Sequence, residues 1–99
     1  MFKLLYLYIL ECSDKTLYVG VTNNPERRLM QHNLGQNKTA YTYNRRPVKI
    51  IYAEGFRNFQ LAFDTETRIK KWSKAKKLAL AEGKFDLLVS LSKKNSKSK

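Results

Sequence analysis

The chain has 99 residues, 42% of them hydrophobic and 12% aromatic, and a formal net charge of +12. That length holds one domain with one core, and the composition excludes a wholly disordered chain. One cysteine and one histidine exclude an intrachain disulfide and a Cys/His zinc site.

The opening stretch MFKLLYLYILECSD resembles a signal peptide slightly, but it lacks a small-residue cleavage site and its alternating tyrosines read as a strand. A first strand is expected over residues 3–11, with Tyr6 and Tyr8 on one face and Leu5, Leu7 and Ile9 on the other. Both faces are apolar, so this strand should be central and covered on both sides. CSDKT is a turn by composition, and LYVGVT, residues 17–22, is the returning strand. A helix follows. Asn24 caps it, Pro25 suits its first position, Glu26 suits the positive end of its dipole, and Gly35 stops it.

Residues 36–47 read as a loop or an irregular helical turn, mixing Lys38, Arg45 and Arg46 with Tyr41 and Tyr43. VKIIYAE, residues 48–54, is a third strand that ends at or near Gly55. The next helix is expected over about 58–72, with Leu61, Thr65, Ile69 and Trp72 on one apolar stripe. A lysine-rich helix from about Ser73 to Glu82 ends at Gly83, and a short helix around 84–90 closes the domain. The reading is one domain over 1–91 and a basic, disordered tail over 92–99.

The hairpin and capped helix resemble the GIY-YIG endonuclease family. Tyr6-Leu7-Tyr8 and Tyr18-Val19-Gly20 stand where its two signatures fall. Arg28 lies eight residues after the second signature's glycine, His32 one helical turn later, and Glu66 in LAFDTETRIKKW matches the family's glutamate. YNRRPVKIIYAEGF and IKKWSKAKKLALAEG are similar to the small stand-alone bacterial branch. The resemblance implies an α/β fold: a small three-stranded antiparallel sheet with the first strand central, the third on its other edge, and flanking helices. It implies catalytic roles for Tyr8, Tyr18, Arg28, His32 and Glu66, with Glu66 holding one divalent ion, Mg²⁺ or Mn²⁺. Mg²⁺ accepts one carboxylate plus waters and phosphate oxygens.

Residue physics supports those roles and offers ordinary alternatives. Arg28 and His32, at i and i+4, share a helix face, whereas Arg27 points about 100° away toward solvent or backbone phosphates. Arg28 could otherwise form a surface ion pair, His32 could serve the helix dipole, and Glu66 could pair with Lys70. Strand tyrosines usually line a core rim, as Tyr6 is expected to do. Tyr8 is the better general-base candidate, with Tyr18 the alternative that the sequence leaves open, and a tyrosine pKa would have to fall by about 3 units for work at neutral pH. Gly20 is expected to leave room for a DNA backbone, and Thr22 and Asn33 to add polar contacts. If Tyr8 and Tyr18 share a face, paired hairpin numbers must add to an even total, so an odd loop or a bulge is expected within Cys12–Thr16.

The charge points to a polyanion. The last eight residues carry four lysines, which leaves +8 on the remainder, so the domain itself is basic. Candidate nucleic-acid contacts are Gly20, Arg27, Lys38, Arg45, Arg46, Lys74, Lys76 and Lys77, the helical lysines having a solvated face as their alternative. The leading function is metal-dependent cleavage of DNA phosphodiesters, selective for structure more than sequence, in repair or recombination. The alternatives are a weak or inactive DNA/RNA-binding module of the same fold, or a basic RNA-associated protein. A cytoplasmic location is expected, with no membrane contact and no obligate protein partner.

Overall fold

The computed structural model describes residues 3–97. Three strands, β1 (Leu5–Glu11), β2 (Leu17–Thr22) and β3 (Lys49–Phe56), form one antiparallel sheet in the order β2-β1-β3. Helix α1 (Pro25–Leu34) follows the hairpin, and a 3-10 turn over Tyr43–Arg45 precedes β3. Helices α2 (Phe59–Lys70), α3 (Lys74–Ala81) and α4 (Phe85–Lys97) complete the chain. The expected elements are all present. β3 continues through Gly55 to Phe56, and α4 runs through the segment expected to be a disordered tail as far as Lys97. Residues 98–99 of that tail lie outside the described residues.

The alternation of β1 divides the core. On one face Leu7, Ile9 and Val19 pack with Ile69 of α2, joined by Ile51, Tyr52, Phe56, Trp72 and Leu80. On the other, Tyr8, Leu10, Cys12 and Val48 pack with Tyr18, Ile50 and Leu29 of α1. Thus α1 covers the tyrosine face and α2 the aliphatic face. The stripe of α2 is turned from the expected one: Ala62 and Ile69 are buried, while Leu61 is 48% exposed. Alanine lets the helix approach the sheet, where leucine would hold it off. That rotation also brings Glu66, about 40° beyond Ala62 on the wheel, nearer the sheet.

The hairpin meets the parity demand. Its pairs include Tyr8 with Gly20 and Leu10 with Tyr18, so both tyrosines share a face. Cys12 and Thr16 close the loop: the Thr16 carbonyl accepts from the Cys12 N–H at 2.9 Å, and the Cys12 carbonyl accepts from the Lys15 N–H at 2.9 Å. Lys15 has φ of 71°, so the turn ends in a left-handed residue that supplies the odd count. Asp14 steadies it, accepting from the Thr16 backbone and hydroxyl at 3.1 and 2.6 Å.

Candidate nuclease site

The cap on α1 forms as its sequence predicts. The Asn24 side chain accepts from the Arg27 N–H at 3.0 Å, Pro25 opens the helix, and Gly35 closes it at φ of 68°. This aims Arg28 and His32 at the tyrosine face of the sheet. Arg27 is turned outward, where it donates to Asn23 Oδ1 at 3.0 Å.

Tyr8, Tyr18 and His32 meet as a group of rings. Centroids lie 6.3 Å apart for Tyr8 and Tyr18, 6.4 Å for Tyr8 and His32, and 5.3 Å for Tyr18 and His32. Tyr8 is 1% exposed, and its Oη lies 3.4 Å from His32 Nε2, a long contact of the kind that ligand binding often tightens. On the far side of the imidazole, Nδ1 is 2.7 Å from the hydroxyl of Thr42, a residue 1% exposed. Thr42 holds the ring in place, and a threonine inside a loop carries no sequence pattern that would single it out. Tyr18, Arg28, Gln31, His32, Gln36, Asn37 and Thr42 help line a pocket of about 330 Å³.

Burial pushes the Tyr8 phenol up to about 12; Tyr18 adds to the rise, Arg28 opposes it through charge and a hydrogen bond, and the Glu66 carboxylate adds a further upward push. Tyr8 therefore holds its proton firmly in the free protein, the opposite direction from the fall that a lone tyrosinate base would need. His32 moves below its ordinary value because burial and the Arg28 charge both disfavour imidazolium. The two shifts leave a neutral phenol facing a neutral imidazole.

Glu66 approaches from α2. Its side chain is 18% exposed and its carboxylate lies 3.4 Å from Lys70 Nζ. Its influence on Tyr8 and the contact of Lys70 with the groove beside Tyr18 put this end of α2 at the β2 edge. Two elements from opposite faces thus meet at an edge strand. Among the described residues no three His, Cys, Asp or Glu side chains gather into a metal cluster. An ion here would have Glu66 as its single protein carboxylate, which fits Mg²⁺ or Mn²⁺ better than zinc.

Several expected contacts take other places. A Cβ on Gly20 would lie 2.5 Å from Tyr8 Oη and 2.7 Å from its ring carbon, so the missing side chain makes room for Tyr8, not for a DNA backbone. Asn33 clamps β3, donating to the Val48 carbonyl at 3.0 Å and accepting from its N–H at 2.8 Å. Thr22 is buried and its hydroxyl accepts from the Asn24 N–H at 3.2 Å. Arg45 lies 3.1 Å from Asp14, donates to the Tyr41 carbonyl at 3.0 Å and covers the Tyr41 ring at 4.0 Å. Arg46 donates to the Tyr43 carbonyl at 2.7 Å and stacks on its ring. Both guanidiniums brace the loop. Lys76 is buried with Nζ 4.4 Å from the centre of Trp72, and Lys77 is partly buried, which leaves Lys74 as the exposed one of the three named α3 lysines. Lys38 is also exposed.

Comparison with known proteins gives the family and the fold. A family model described as the GIY-YIG catalytic domain matches residues 4–79. A UPF0213 protein of Syntrophus aciditrophicus is 51% identical over 75 residues, covering 76% of this chain and 86% of its own. One from Clostridium perfringens is 46% identical over 79 residues, covering 80% and 84%. Among solved structures, the solution NMR structure of a protein from E. faecalis matches with a TM-score of 0.58 at 39% identity, covering 86% of this chain and 88% of that one. That of a UPF0213 protein from Bacillus halodurans matches with a TM-score of 0.52 at 33% identity, covering 80% and 83%.

Proposed function

The chain belongs to the GIY-YIG catalytic-domain family, a nuclease family, and from that premise we propose that it is a divalent-cation-dependent endonuclease hydrolysing DNA phosphodiester bonds. The observation that supports this reading is the meeting of Tyr8, Tyr18, Arg28 and His32 beside one pocket, with the Glu66 carboxylate near enough to push the Tyr8 phenol upward. Arg28 binds the phosphate, its forked donors matching two oxygens and keeping their charge at any working pH. Tyr18 orients the same group from the strand. A divalent cation, when bound at Glu66, supplies charge neutralisation at the phosphate and the leaving oxygen.

Tyr8 and His32 move the proton. The attacking water gives its proton to Tyr8 Oη while the phenol's own proton passes to His32 Nε2; the water oxygen bonds to phosphorus as the bond from phosphorus to the leaving oxygen breaks, and the leaving oxygen takes a proton from solvent. Neutral imidazole is ready for this step, and Thr42 favours the required tautomer by accepting from Nδ1–H. The phosphate's negative charge offsets Arg28 and so relieves the penalty on the resulting imidazolium. This division removes the need for a free tyrosinate at neutral pH. The exposed cations Arg27 and Lys38 on α1 and the loop after it, and Lys74 on α3, suit backbone phosphates, which position a strand without reading its sequence. That favours recognition of a branch, flap, nick or single strand, in repair or recombination, with cytoplasmic location and Mg²⁺ or Mn²⁺ as cofactor.

The test is a panel of labelled branched, nicked, single-stranded and duplex DNAs incubated with Mg²⁺ or Mn²⁺. Wild type is expected to cut at least one. Glu66→Gln should lose at least about 100-fold in rate, equivalent to ~3 kcal/mol of barrier, while retaining DNA binding. If wild type binds DNA yet never cuts it, the protein is a binding module of this fold.

A further inference from the structure

Tyr18 separates the catalytic pocket from a second groove of about 330 Å³, lined by Leu17, Tyr18, Val19, Tyr41, Lys70 and Lys77. On the other side, Arg28 joins the pocket to a third depression containing Lys3, Tyr6, Thr22 and Asn23. The three form a track along the edge strand β2, with Arg28 near its middle and Lys77 toward one end. We propose that the groove beside Tyr18 is a second phosphate subsite, in which Lys77, helped by Lys70, holds the backbone phosphate neighbouring the scissile linkage. This rests on the nuclease reading above.

The groove offers charge to its occupant through Lys70 and Lys77. Tyr41 has one ring face toward Tyr18, at 6.1 Å and 23° between planes, and Arg45 covers it at 4.0 Å. Arg45 is itself engaged with Asp14 and the Tyr41 carbonyl. Lys70 is tied to Glu66, while none of the ion pairs among the described residues includes Lys77. Burial lowers the Lys77 pKa, with no carboxylate to oppose the shift. A partly buried cation without a counter-ion is a costly arrangement in the free protein, and a phosphate oxygen would offset that cost. Lys74, on the same helix but exposed, has no such incentive. Cation engagement of Glu66 would also free Lys70 to turn toward the strand.

The experiment measures binding of a labelled single-stranded oligonucleotide to the full chain carrying Glu66→Gln, across a series of salt concentrations. Adding Lys77→Gln should weaken binding and make the log–log salt slope shallower by about 0.7, the loss of one single-strand phosphate contact. Lys77→Arg should restore the slope. Lys49→Gln, on the opposite sheet edge, is the charge-matched control, and circular dichroism checks that each variant folds. Replacing single phosphates by neutral methylphosphonates should reproduce the loss at one linkage adjacent to the cut, with no further loss in Lys77→Gln. An unchanged slope in Lys77→Gln, a drop no larger than in Lys49→Gln, or failure of Lys77→Arg to restore it overturns the subsite while leaving the nuclease reading standing. If wild type neither binds nor cuts nucleic acid, the nuclease reading falls first and the subsite with it.

Discussion

His32 is held neutral by its surroundings, and that state is what the proposed proton transfer uses. Burial and the Arg28 charge lower its pKa. As the only histidine, it gives an unambiguous NMR titration, and we expect a value below the ordinary 6.5 of the free side chain. A midpoint at or above 6.5 would defeat this account of the site. The same shift has a stability consequence. Above about 6.5 both folded and unfolded His32 are neutral, and nothing is lost. As pH falls below that, the unfolded chain takes up the proton first, so stability declines until the folded pKa is passed. His32→Gln should flatten this part of the melting-temperature profile. Gly20 gives a second residue-scale prediction. Gly20→Ala drives a methyl into the Tyr8 phenol and should cost about 1–3 kcal/mol, read as a melting point lower by several degrees. Adding Tyr8→Phe should recover part of that, because the hydroxyl is the nearest obstructing atom. Equal melting of Gly20→Ala and wild type would show that the ring has somewhere else to go.

Elements place these residues through register and rotation. The β-hairpin has its tyrosines on one face because its loop is odd, and that count depends on Lys15 in the left-handed region. A lysine there is strained by contact between its Cβ and the backbone, so Lys15→Gly is expected to stabilise by about 1 kcal/mol. Chemical denaturation checks it, and a destabilised variant would mean that the lysine side chain has a structural role of its own. Strand β3 carries a second irregularity. Its pairing with β1 shifts between Ile9 and Leu10, where Tyr52 and then Ile50 are the partners. The shift lets Val48 and Ile50 face the Tyr8 side while Tyr52 packs with Ile9. Strict alternation would have sent all three to one face. The run Ile50-Ile51-Tyr52 gives no hint of where such a bulge falls. In α2 the apolar pattern suggested Leu61 as inward, yet Ala62 took that place, because how closely a helix can approach its sheet counts as much as hydrophobicity.

At the scale of the molecule, charge and topology act together. Lysine and arginine outnumber aspartate and glutamate by 20 to 8, which draws a polyanion toward the surface. Topology makes β2 an edge, and on that edge the two sheet faces bring α1 and α2 to common ground. No helix among the described residues is long and apolar enough to cross a membrane. The element order, the capped α1 and the parity of the hairpin were all legible in the sequence, because caps, turn residues and strand alternation act over a few neighbouring positions. The five candidate residues came from the resemblance to the family's signatures, whose spacing runs over a hairpin, a helix turn and one later helix. The tertiary structure decided the rest. It turned Arg45, Arg46 and Asn33 into braces, sank Lys76 over Trp72, filled the space above Gly20 with Tyr8, and put Thr42 behind His32. A side chain's charge or hydroxyl is fixed by its type. Whether that group is free for a ligand depends on which distant carbonyl, ring or carboxylate folding brings within about 3–4 Å of it.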